Sequence, residues 1–384
     1  MIYLDNAATT MRKPQEVIDA ITAVMCSMGN AGRGVNEASL GAARTVYDTR
    51  EKLAGFFGAE DARQIVFTMN STESLNIAIK GILNPGDHVI STVLEHNSVL
   101  RPLYEMEKKG VEVTFLGCDE KGTLDYADFD KAIKENTKAI VCTHGSNLTG
   151  NKVDVERIGE IAKKHDLLFV VDASQTAGVF PIDVQKMHID ILCFTGHKGL
   201  RGPQGTGGFL VSQELAEQME PLISGGTGSV SHTEEIPDFM PDRFESGTPN
   251  LPGIYGLHEA LLYLKTHSLQ AINEKELSLT GYFLEQLQAL DDTGRHIRII
   301  GKKDLTDRNA VVSIQTPEID MSQVAWQLDN EYGVMTRVGL HCAPNAHKTL
   351  GTYPAGTIRF SFGPENTKNE LDFAIQGLKK ILDL

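Results

Sequence analysis

The sequence lacks the features of membrane proteins and of proteins that bind nucleic acids. No apolar run in its 384 residues approaches the ~20 residues that span a bilayer. Its first residues, 1–14, show no charged segment followed by an apolar core, so no secretory signal is predicted. The formal net charge is −15, and no cluster of Lys and Arg offsets it. We therefore expect a cytoplasmic protein with no membrane or nucleic-acid partner.

Cysteines are few, and the common nucleotide-binding motifs are missing. The five cysteines include no C-x-x-C pair and no zinc-type spacing, so no metal site is predicted. Scattered cysteines suit a reducing compartment. Cys142 and Cys193 lie inside apolar runs and are expected to pack in the core. Neither G-x-G-x-x-G nor a P-loop occurs, which argues against binding of a dinucleotide or a nucleoside triphosphate.

The first half of the chain alternates between helical and strand-like patterns. Helices are predicted at 15–28, 37–57, 72–82, 98–108, 125–134 and 154–165, and strands near 64–68, 87–92, 111–116, 138–142, 167–172, 189–194 and 207–211. Alternation at this spacing predicts an α/β fold with a mostly parallel, seven-stranded sheet covered on both faces. The length suggests two domains.

The second half begins with a stretch rich in Gly, Pro, Ser and Thr, from Ser224 to Pro252, which predicts a long functional loop. A helical run from Ile254 through Leu264 to Leu290 then leads into a smaller α+β domain. That domain is predicted to contain strands at 296–300, 310–315 and 357–362 and a final helix near 366–382. We expect a large domain of residues 15–264, and a small domain of residues 1–14 and 265–384.

Lys198 is the most informative residue. It ends the run Thr195-Gly-His-Lys198 after one apolar strand, and Asp172 ends another such strand. A buried lysine can hold pyridoxal phosphate as a Schiff base, and an aspartate can keep the pyridine nitrogen protonated. Taken alone, Asp172 is also typical of a helix N-cap. The lysine on the second strand favours the cofactor site.

A phosphate cradle is predicted where a strand, a polar turn and a helix follow one another around Ser71 and Thr72. A helix N-terminus with free N–H groups and hydroxyls favours a dianion. The alternative is a capping box from Thr72 to Ser74, which needs no ligand.

Three further polar residues follow predicted strands. His96 can stack on a pyridine ring and move a proton, although a polar surface histidine fits the same pattern. Asn147 could bind a ligand, but it lies in a predicted turn, where asparagine is common without any ligand. Gln175 can hydrogen-bond the phenolic oxygen of the cofactor, or it can simply face solvent.

Several of these motifs, in this order, resemble the class V aminotransferase group. They are Asp172-Ala-Ser-Gln175, Thr195-Gly-His-Lys198, Arg243-Phe-Glu-Ser-Gly-Thr-Pro-Asn250 and Arg337-Val-Gly-Leu-His-Cys342-Ala. The chain is most similar to cysteine desulfurases and selenocysteine lyases, and the resemblance runs from Tyr3 to Arg359. It implies a pyridoxal 5'-phosphate enzyme of fold type I.

The resemblance also implies a role for each matching residue. Around the cofactor ring, Lys198 would form the Schiff base, Asp172 would bind the pyridine nitrogen, Gln175 would bind the phenolic oxygen and His96 would stack on the ring. The phosphate would be held by Ser71, Thr72, Thr195 and His197, and Thr248 would reach the phosphate of a neighbouring subunit. The substrate would be bound by Asn147, Arg337 and Arg359. Asn147 would thus contact both cofactor and substrate. The role of Thr248 implies a homodimer.

Cys342 has a polar, turn-rich setting in which a thiolate can be stabilised and exposed. A loop cysteine is often inert, but the position of Cys342 in the family-like tail predicts a nucleophile. The resemblance then implies that L-cysteine is converted to L-alanine while Cys342 takes the sulfur as a persulfide.

Two departures from the desulfurase pattern leave the substrate open. The segment after Lys198 is one residue longer than expected before its Gly-Pro pair, and Leu340 stands where a second histidine is common. Selenocysteine lyase is therefore a second candidate activity. An aminotransferase, a kynureninase-like hydrolase or an epimerase on the same fold, and a catalytically silent sulfur relay, also fit the pattern. A sulfur or selenium acceptor protein is expected as a partner.

Overall fold

The computed structural model describes residues 1–27, 29, 31 and 36–384. The helices are α1 (Gln15–Ser27), α2 (Glu37–Phe57), α3 (Ser71–Ile82), α4 (Asn97–Glu107), α5 (Ala127–Ala132), α6 (Val155–Lys164), α7 (Gln213–Gln218), α8 (Leu251–His267), α9 (Leu269–Leu290), α10 (Met321–Tyr332), α11 (Pro344–Thr349) and α12 (Lys368–Ile381). The strands are β1 (Ile2–Tyr3), β2 (Ile65–Thr68), β3 (His88–Thr92), β4 (Glu112–Leu116), β5 (Thr137–Thr143), β6 (Leu168–Asp172), β7 (Ile191–Thr195), β8 (Gly207–Val211), β9 (Arg298–Ile300), β10 (Val311–Gln315), β11 (Val334–Met335), β12 (Arg337–Gly339) and β13 (Thr357–Ser361). Residue 28, the predicted end of the first helix, lies outside the described residues.

A seven-stranded sheet in the order β2-β8-β7-β6-β5-β3-β4 organises the larger part of the chain. Only β8 runs antiparallel to its neighbours; the other pairings are parallel. Every residue of β3, β7 and β8 is buried, as expected for strands covered on both faces. The predicted mostly parallel, seven-stranded α/β sheet is confirmed.

The sheet brings three predicted site segments to one edge. In the strand register Thr143 of β5 lies beside Asp172, and Asp172 lies beside Cys193 of β7. The turns that carry Asn147 and Lys198 begin after β5 and β7, at the carboxyl ends of the strands. Ligands of open α/β sheets bind beyond these ends.

A second, antiparallel sheet has the order β12-β13-β10-β9 and packs with α9 and α10, and α12 packs against these two helices. Leu4, Phe283, Phe360 and Leu378 share its core, so the N-terminal strand joins the C-terminal part of the chain. The predicted helical run to Leu290 is interrupted at Ser268, whose φ is 60°. The proposed domain boundaries near residues 14 and 264 remain a prediction.

No helix or strand lies between α7 and α8, so the predicted loop is irregular up to Asn250, and α8 begins at Leu251. The loop is held by Glu245, whose carboxylate accepts from the buried guanidinium of Arg50 at 2.7 Å and from the backbone N–H of Phe67 at 2.6 Å. Helix α7 was not predicted. Among the described residues, no helix combines the length and the apolar character needed to cross a bilayer.

Candidate active site

Lys198 and Asp172 form the centre of the site. Asp172 ends β6 and is 3% exposed, and Lys198 lies half-buried in the turn after the neighbouring strand β7. Burial lowers the pKa of Lys198 to about 8, and the nearby Asp172 carboxylate opposes this shift. The amine is therefore more easily freed of its proton than an exposed lysine, as a Schiff-base lysine requires.

The carboxylate of Asp172 is fixed by Ser174. One oxygen accepts from the backbone N–H of Ser174 at 2.9 Å and also from its hydroxyl. Burial raises the pKa of Asp172, whereas the hydrogen bonds from Ser174 and the charge of Lys198 lower it. Asp172 thus organises a turn, but no helix follows it, so the N-cap interpretation is only partly right.

The helix N-terminus at the predicted phosphate cradle is capped by Asn70 and not by Thr72. The Asn70 side chain accepts from the backbone N–H of Glu73 at 3.1 Å, and the Glu73 carboxylate accepts from Met69 N at 2.7 Å. The alternative of a capping box starting at Thr72 is therefore wrong. The hydroxyls of Ser71 and Thr72 are not used for capping.

Those two hydroxyls have other neighbours. Ser71 Oγ lies 2.7 Å from Ser174 Oγ, and Thr72 Oγ1 lies 2.8 Å from Ser98 Oγ. The chain Ser71–Ser174–Asp172 thus links the helix N-terminus directly to the acid at the centre of the site. Sequence reasoning did not predict Ser174 or Ser98, although each is two residues from a predicted ligand.

Thr195 and His197 lie on the same turn as Lys198. Thr195 is 2% exposed, and the buried Nδ1 of His197 has no hydrogen-bond partner in the described ranges. Burial, followed by the charges of Lys198 and Lys13, lowers the pKa of His197 to about 4. A neutral ring with an unpaired nitrogen can donate to an anionic ligand.

His96 is the N-cap of α4. Its Nδ1 accepts from the backbone N–H of Ser98 at 3.1 Å, which leaves the ring proton on Nε2. Burial, with Lys198 and Arg337 as the next contributors, lowers the pKa of His96 to about 3. The ring is half-buried, unlike that of a surface histidine, and its lowered pKa keeps it neutral over a wider pH range.

Two arginines lie side by side on the second sheet. Arg337 and Arg359 are register partners on β12 and β13. Arg359 is 1% exposed and donates to the backbone oxygen of Asn147 at 3.1 Å and to Asp5 Oδ1 at 2.7 Å. Burial lowers the pKa of Arg359, and the charge of Arg337 adds to this effect. Paired cations at one position favour an anionic ligand such as a carboxylate.

Cys342 is held in a strained turn. His341 and Cys342 have φ values of 47° and 58°, and Ala343 N donates to Leu340 O at 2.8 Å. Left-handed conformations cost roughly 1–2 kcal/mol for a residue with a Cβ. The turn is clamped because Asn97 N donates to Cys342 O at 2.7 Å, and the amide of Asn147 donates to His341 O at 2.6 Å.

The partly exposed thiol of Cys342 faces a cation. Arg337 Nη2 lies 3.9 Å from Cys342 Sγ. A guanidinium at this distance can donate a hydrogen bond to the sulfur. By contrast, Cys142 and Cys193 are buried in the core, as predicted.

The two predicted ligands that remain are Gln175, which lines a small cavity together with Lys198, and Thr248. The amide of Gln175 donates to the backbone oxygen of Ala7 at 3.1 Å. Thr248 is exposed on the loop anchored by Glu245. Its predicted contact with a second subunit remains a prediction.

Comparison with known proteins gives a consistent picture. The family described as aminotransferase class V matches residues 2–373. A probable cysteine desulfurase of Pyrococcus abyssi is 34% identical over 390 residues, covering 100% of this chain and 94% of the relative. The apo structure of a cysteine desulfurase from Thermococcus onnurineus NA1 superposes with a TM-score of 0.91 at 34% identity, covering 100% of this chain and 94% of that one. The cysteine desulfurase CsdA (S-sulfonic acid) of Escherichia coli gives 0.86 at 30% identity, covering 99% and 94%. The predicted resemblance and fold are confirmed.

Proposed function

We propose, because the chain belongs to the class V aminotransferase family, that it is a cysteine desulfurase that uses pyridoxal 5'-phosphate. It would convert L-cysteine to L-alanine and transfer the sulfur to Cys342. The proposal is carried by the position of a half-buried lysine, Lys198, in the turn after β7, next to the strand β6 that ends at the buried acid Asp172.

The residues at the site fit this cofactor. Its aldehyde would meet the amine of Lys198, and its ring nitrogen would meet Asp172. A phosphate could accept hydrogen bonds from the unpaired nitrogen of His197 and from the hydroxyls of Ser71 and Thr72, which do not cap the helix. When bound, pyridoxal phosphate supplies an electrophilic carbon for amines and a ring that accepts electrons from a carbanion.

The protein's own residues then orient the substrate and move its proton. Arg359 and Arg337, with Asn147, would bind the cysteine carboxylate, because an arginine fork suits a bidentate contact. The free amine of Lys198 would remove the proton from Cα. Its lowered pKa, about 8, keeps a useful fraction in the basic form near neutral pH.

Sulfur transfer would follow at Cys342. The thiolate attacks the substrate sulfur, so that an S–S bond forms while the Cβ–S bond breaks. The electron pair of the broken bond stays with the substrate, whose carbon takes up a proton to give alanine. Arg337, 3.9 Å from Sγ, would hold the thiolate before attack. The persulfide would then pass its sulfur to a thiol acceptor.

The experiment combines spectroscopy with product analysis. The purified protein should be yellow, and borohydride should bleach it while fixing the cofactor to Lys198. The Lys198→Ala variant should show neither the colour nor the covalent attachment. The control variant Lys186→Ala, changed at an exposed lysine, should show both. Alanine should form from cysteine without a keto-acid acceptor. A colourless protein would contradict the cofactor, and a strict need for a keto acid would indicate transamination instead.

The same proposal includes a homodimer. A homodimer would place Thr248 of each subunit at the other's phosphate site, which agrees with the exposure of this residue on an anchored loop. Thr248→Ala should weaken retention of the cofactor during dialysis without changing the mass of the dimer measured by light scattering. Unchanged retention would remove Thr248 from the site.

A further inference from the structure

The turn that carries Lys198 ends at a buried arginine, Arg201. The backbone N–H of Arg201 donates to Lys198 O at 2.8 Å and closes the turn, and its φ of 62° is left-handed. That conformation is unfavourable for a residue with a Cβ, so other contacts must hold Arg201 in it. Arg201 also lies in the segment whose length departs from the desulfurase pattern.

The guanidinium of Arg201 bonds to two other parts of the chain. Its side chain is 2% exposed and pairs with the carboxylate of Glu365, which is 30% exposed. It also donates to the backbone oxygen of Arg12 at 3.2 Å and lies 5.7 Å from the centre of the Tyr263 ring. The side chain therefore joins the lysine turn to the N-terminal segment and to the residues that follow β13.

The N-terminal segment holds the other side of the same turn. Thr10 N donates to His197 O at 3.1 Å, and the ammonium of Lys13 donates to the same oxygen at 3.0 Å. Lys198 is thus flanked by anchored backbone, with His197 before it and Arg201 at the end of its turn.

Glu365 belongs to the part of the chain that carries Arg359. It follows β13 in a turn where Gly363 N donates to the side chain of Asn366 at 2.9 Å, and Asn366 N donates to Gly363 O at 3.0 Å. These opposed hydrogen bonds hold the turn in place after the strand. The ion pair with Arg201 therefore connects the lysine turn to the strand of the substrate arginine.

The two connected segments meet in the site. Burial is the main cause of the lowered pKa of Lys198, and the charge of Arg359 adds to it, so the amine and the guanidinium are near each other. In the proposed function, the arginine holds the substrate carboxylate while the lysine takes the proton from Cα. A misplacement of about 1 Å can cost about 100-fold in rate, so the spacing of these two groups matters.

We propose that the ion pair between Arg201 and Glu365 positions Lys198 relative to Arg359, and so sets the distance between the amine that moves the proton and the guanidinium that binds the carboxylate. Both members of the pair act through the backbone of their own segment, which makes them positioning residues. The inference rests on the proposed function of Lys198 and Arg359.

The first test measures capture of the cofactor and needs no turnover. Pyridoxal phosphate is added to the apoprotein, and growth of the visible band, with borohydride fixation at Lys198, gives the rate of covalent capture. Glu365→Gln should slow capture severalfold, because the amine no longer has one orientation. Arg201→Met should slow it by a similar factor, and Arg201→Lys, which keeps a cation, should recover part of the rate.

Two controls separate positioning from folding stability. Glu318→Gln breaks an exposed ion pair with Arg295 and should capture the cofactor at the wild-type rate. Phe283→Leu opens space in the core beside the second sheet and should lower stability without slowing capture. Wild-type capture in Glu365→Gln would overturn the inference. Slow capture in Phe283→Leu would also overturn it, because lost stability would then explain the effect.

A double variant tests whether the two residues act as a pair. Arg201→Met combined with Glu365→Gln should capture the cofactor no more slowly than the slower single variant. Effects that multiply would mean that the residues act separately, which contradicts the proposal. If Arg201→Met does not fold, Glu365→Gln decides alone, since its side chain is partly exposed.

Turnover of cysteine gives an independent measurement. Glu365→Gln should lower kcat about tenfold and leave KM nearly unchanged, since Arg359 still binds the carboxylate. An unchanged kcat would overturn the positioning role. Failure of the wild-type protein to capture the cofactor or to form alanine would instead contradict the proposed function, so the two failures are distinguishable.

Discussion

The guanidinium of Arg359 donates a 2.7 Å hydrogen bond to the carboxylate of Asp5, which lies 354 positions earlier in the chain. Arg359 is almost completely buried, whereas the Asp5 side chain is 19% exposed. This ion pair ties the N-terminal segment to β13 and fixes the arginine that we propose for substrate binding.

Replacing Asp5 by Asn should destabilise the protein. Hydrogen bonds to charged groups contribute about 2 kcal/mol, so Asp5→Asn is expected to lower the free energy of unfolding by about that amount in urea titrations. Asp292→Asn, at an exposed turn residue, is the control and should change little. Equal stability of the two variants would mean that Arg359 is held by Asn147 alone.

The amine of Lys198 should react at lower pH than ordinary lysines. Its proton leaves near pH 8 instead of near 10.5, because burial disfavours the ammonium. Since Asp172 stabilises that ammonium, Asp172→Asn should move the midpoint further down. Competitive acetylation of the apoprotein over a pH series, read by peptide mass spectrometry, measures both, with exposed Lys186 as the internal reference. An upward shift in the variant would contradict the pairing.

Removing the Cys342 thiol should separate sulfur transfer from cofactor binding. Loss of a nucleophile commonly costs about 100-fold or more in rate, so Cys342→Ala should lose desulfuration of cysteine to that extent and keep its yellow colour. Cys26→Ala, at an exposed cysteine, should keep full activity. Alanine formation from selenocysteine is measured in parallel. Activity retained towards selenocysteine alone would favour the lyase alternative, since selenium leaves more readily.

Arg337 should govern the reactivity of Cys342. Because its guanidinium lies 3.9 Å from the sulfur, Arg337→Gln should slow alkylation of Cys342 by iodoacetamide severalfold at neutral pH. Arg337→Lys keeps a positive charge and should restore part of the rate. If all three proteins react equally fast, the guanidinium does not stabilise the thiolate.

Breaking the Arg50–Glu245 pair should release the long loop. Glu245→Gln leaves the guanidinium of Arg50 buried without an anionic partner, which costs about 3 kcal/mol of folding free energy. The same variant should lose its cofactor faster on dialysis, because the loop carries Thr248. Glu235→Gln, an exposed change on that loop, serves as control. Wild-type stability in Glu245→Gln would show that the pair does not anchor the loop.

Much of the sheet could be predicted because buried parallel strands are continuous apolar runs. The predicted strand near 167–172 is observed at Leu168–Asp172, and the strand near 207–211 at Gly207–Val211. Helix α10 was not predicted, although Met321, Val324 and Leu328 have helical spacing after the N-cap Asp320. The break at Ser268 has no Gly or Pro to mark it.

The candidate site could be predicted only in part. Local pattern pointed to Lys198 and Asp172, because the two residues follow separate apolar runs that each predict a buried strand. It did not identify Asn70 as the cap of α3, since Asn70, Ser71 and Thr72 all suit such a position. Ser174 carries no comparable local signal, because its contact with Ser71 joins two segments that are 103 positions apart.

The sequence by itself determined the alternation of strands and helices, and the polar residues that follow each strand. Both are local properties of hydrophobic spacing and turn chemistry. Only the tertiary structure decided which of these side chains meet, such as Arg359 with Asp5 and Arg337 with Cys342. Those partners come from separate segments, and their distances depend on how two sheets and their helices pack, which no short stretch of sequence encodes.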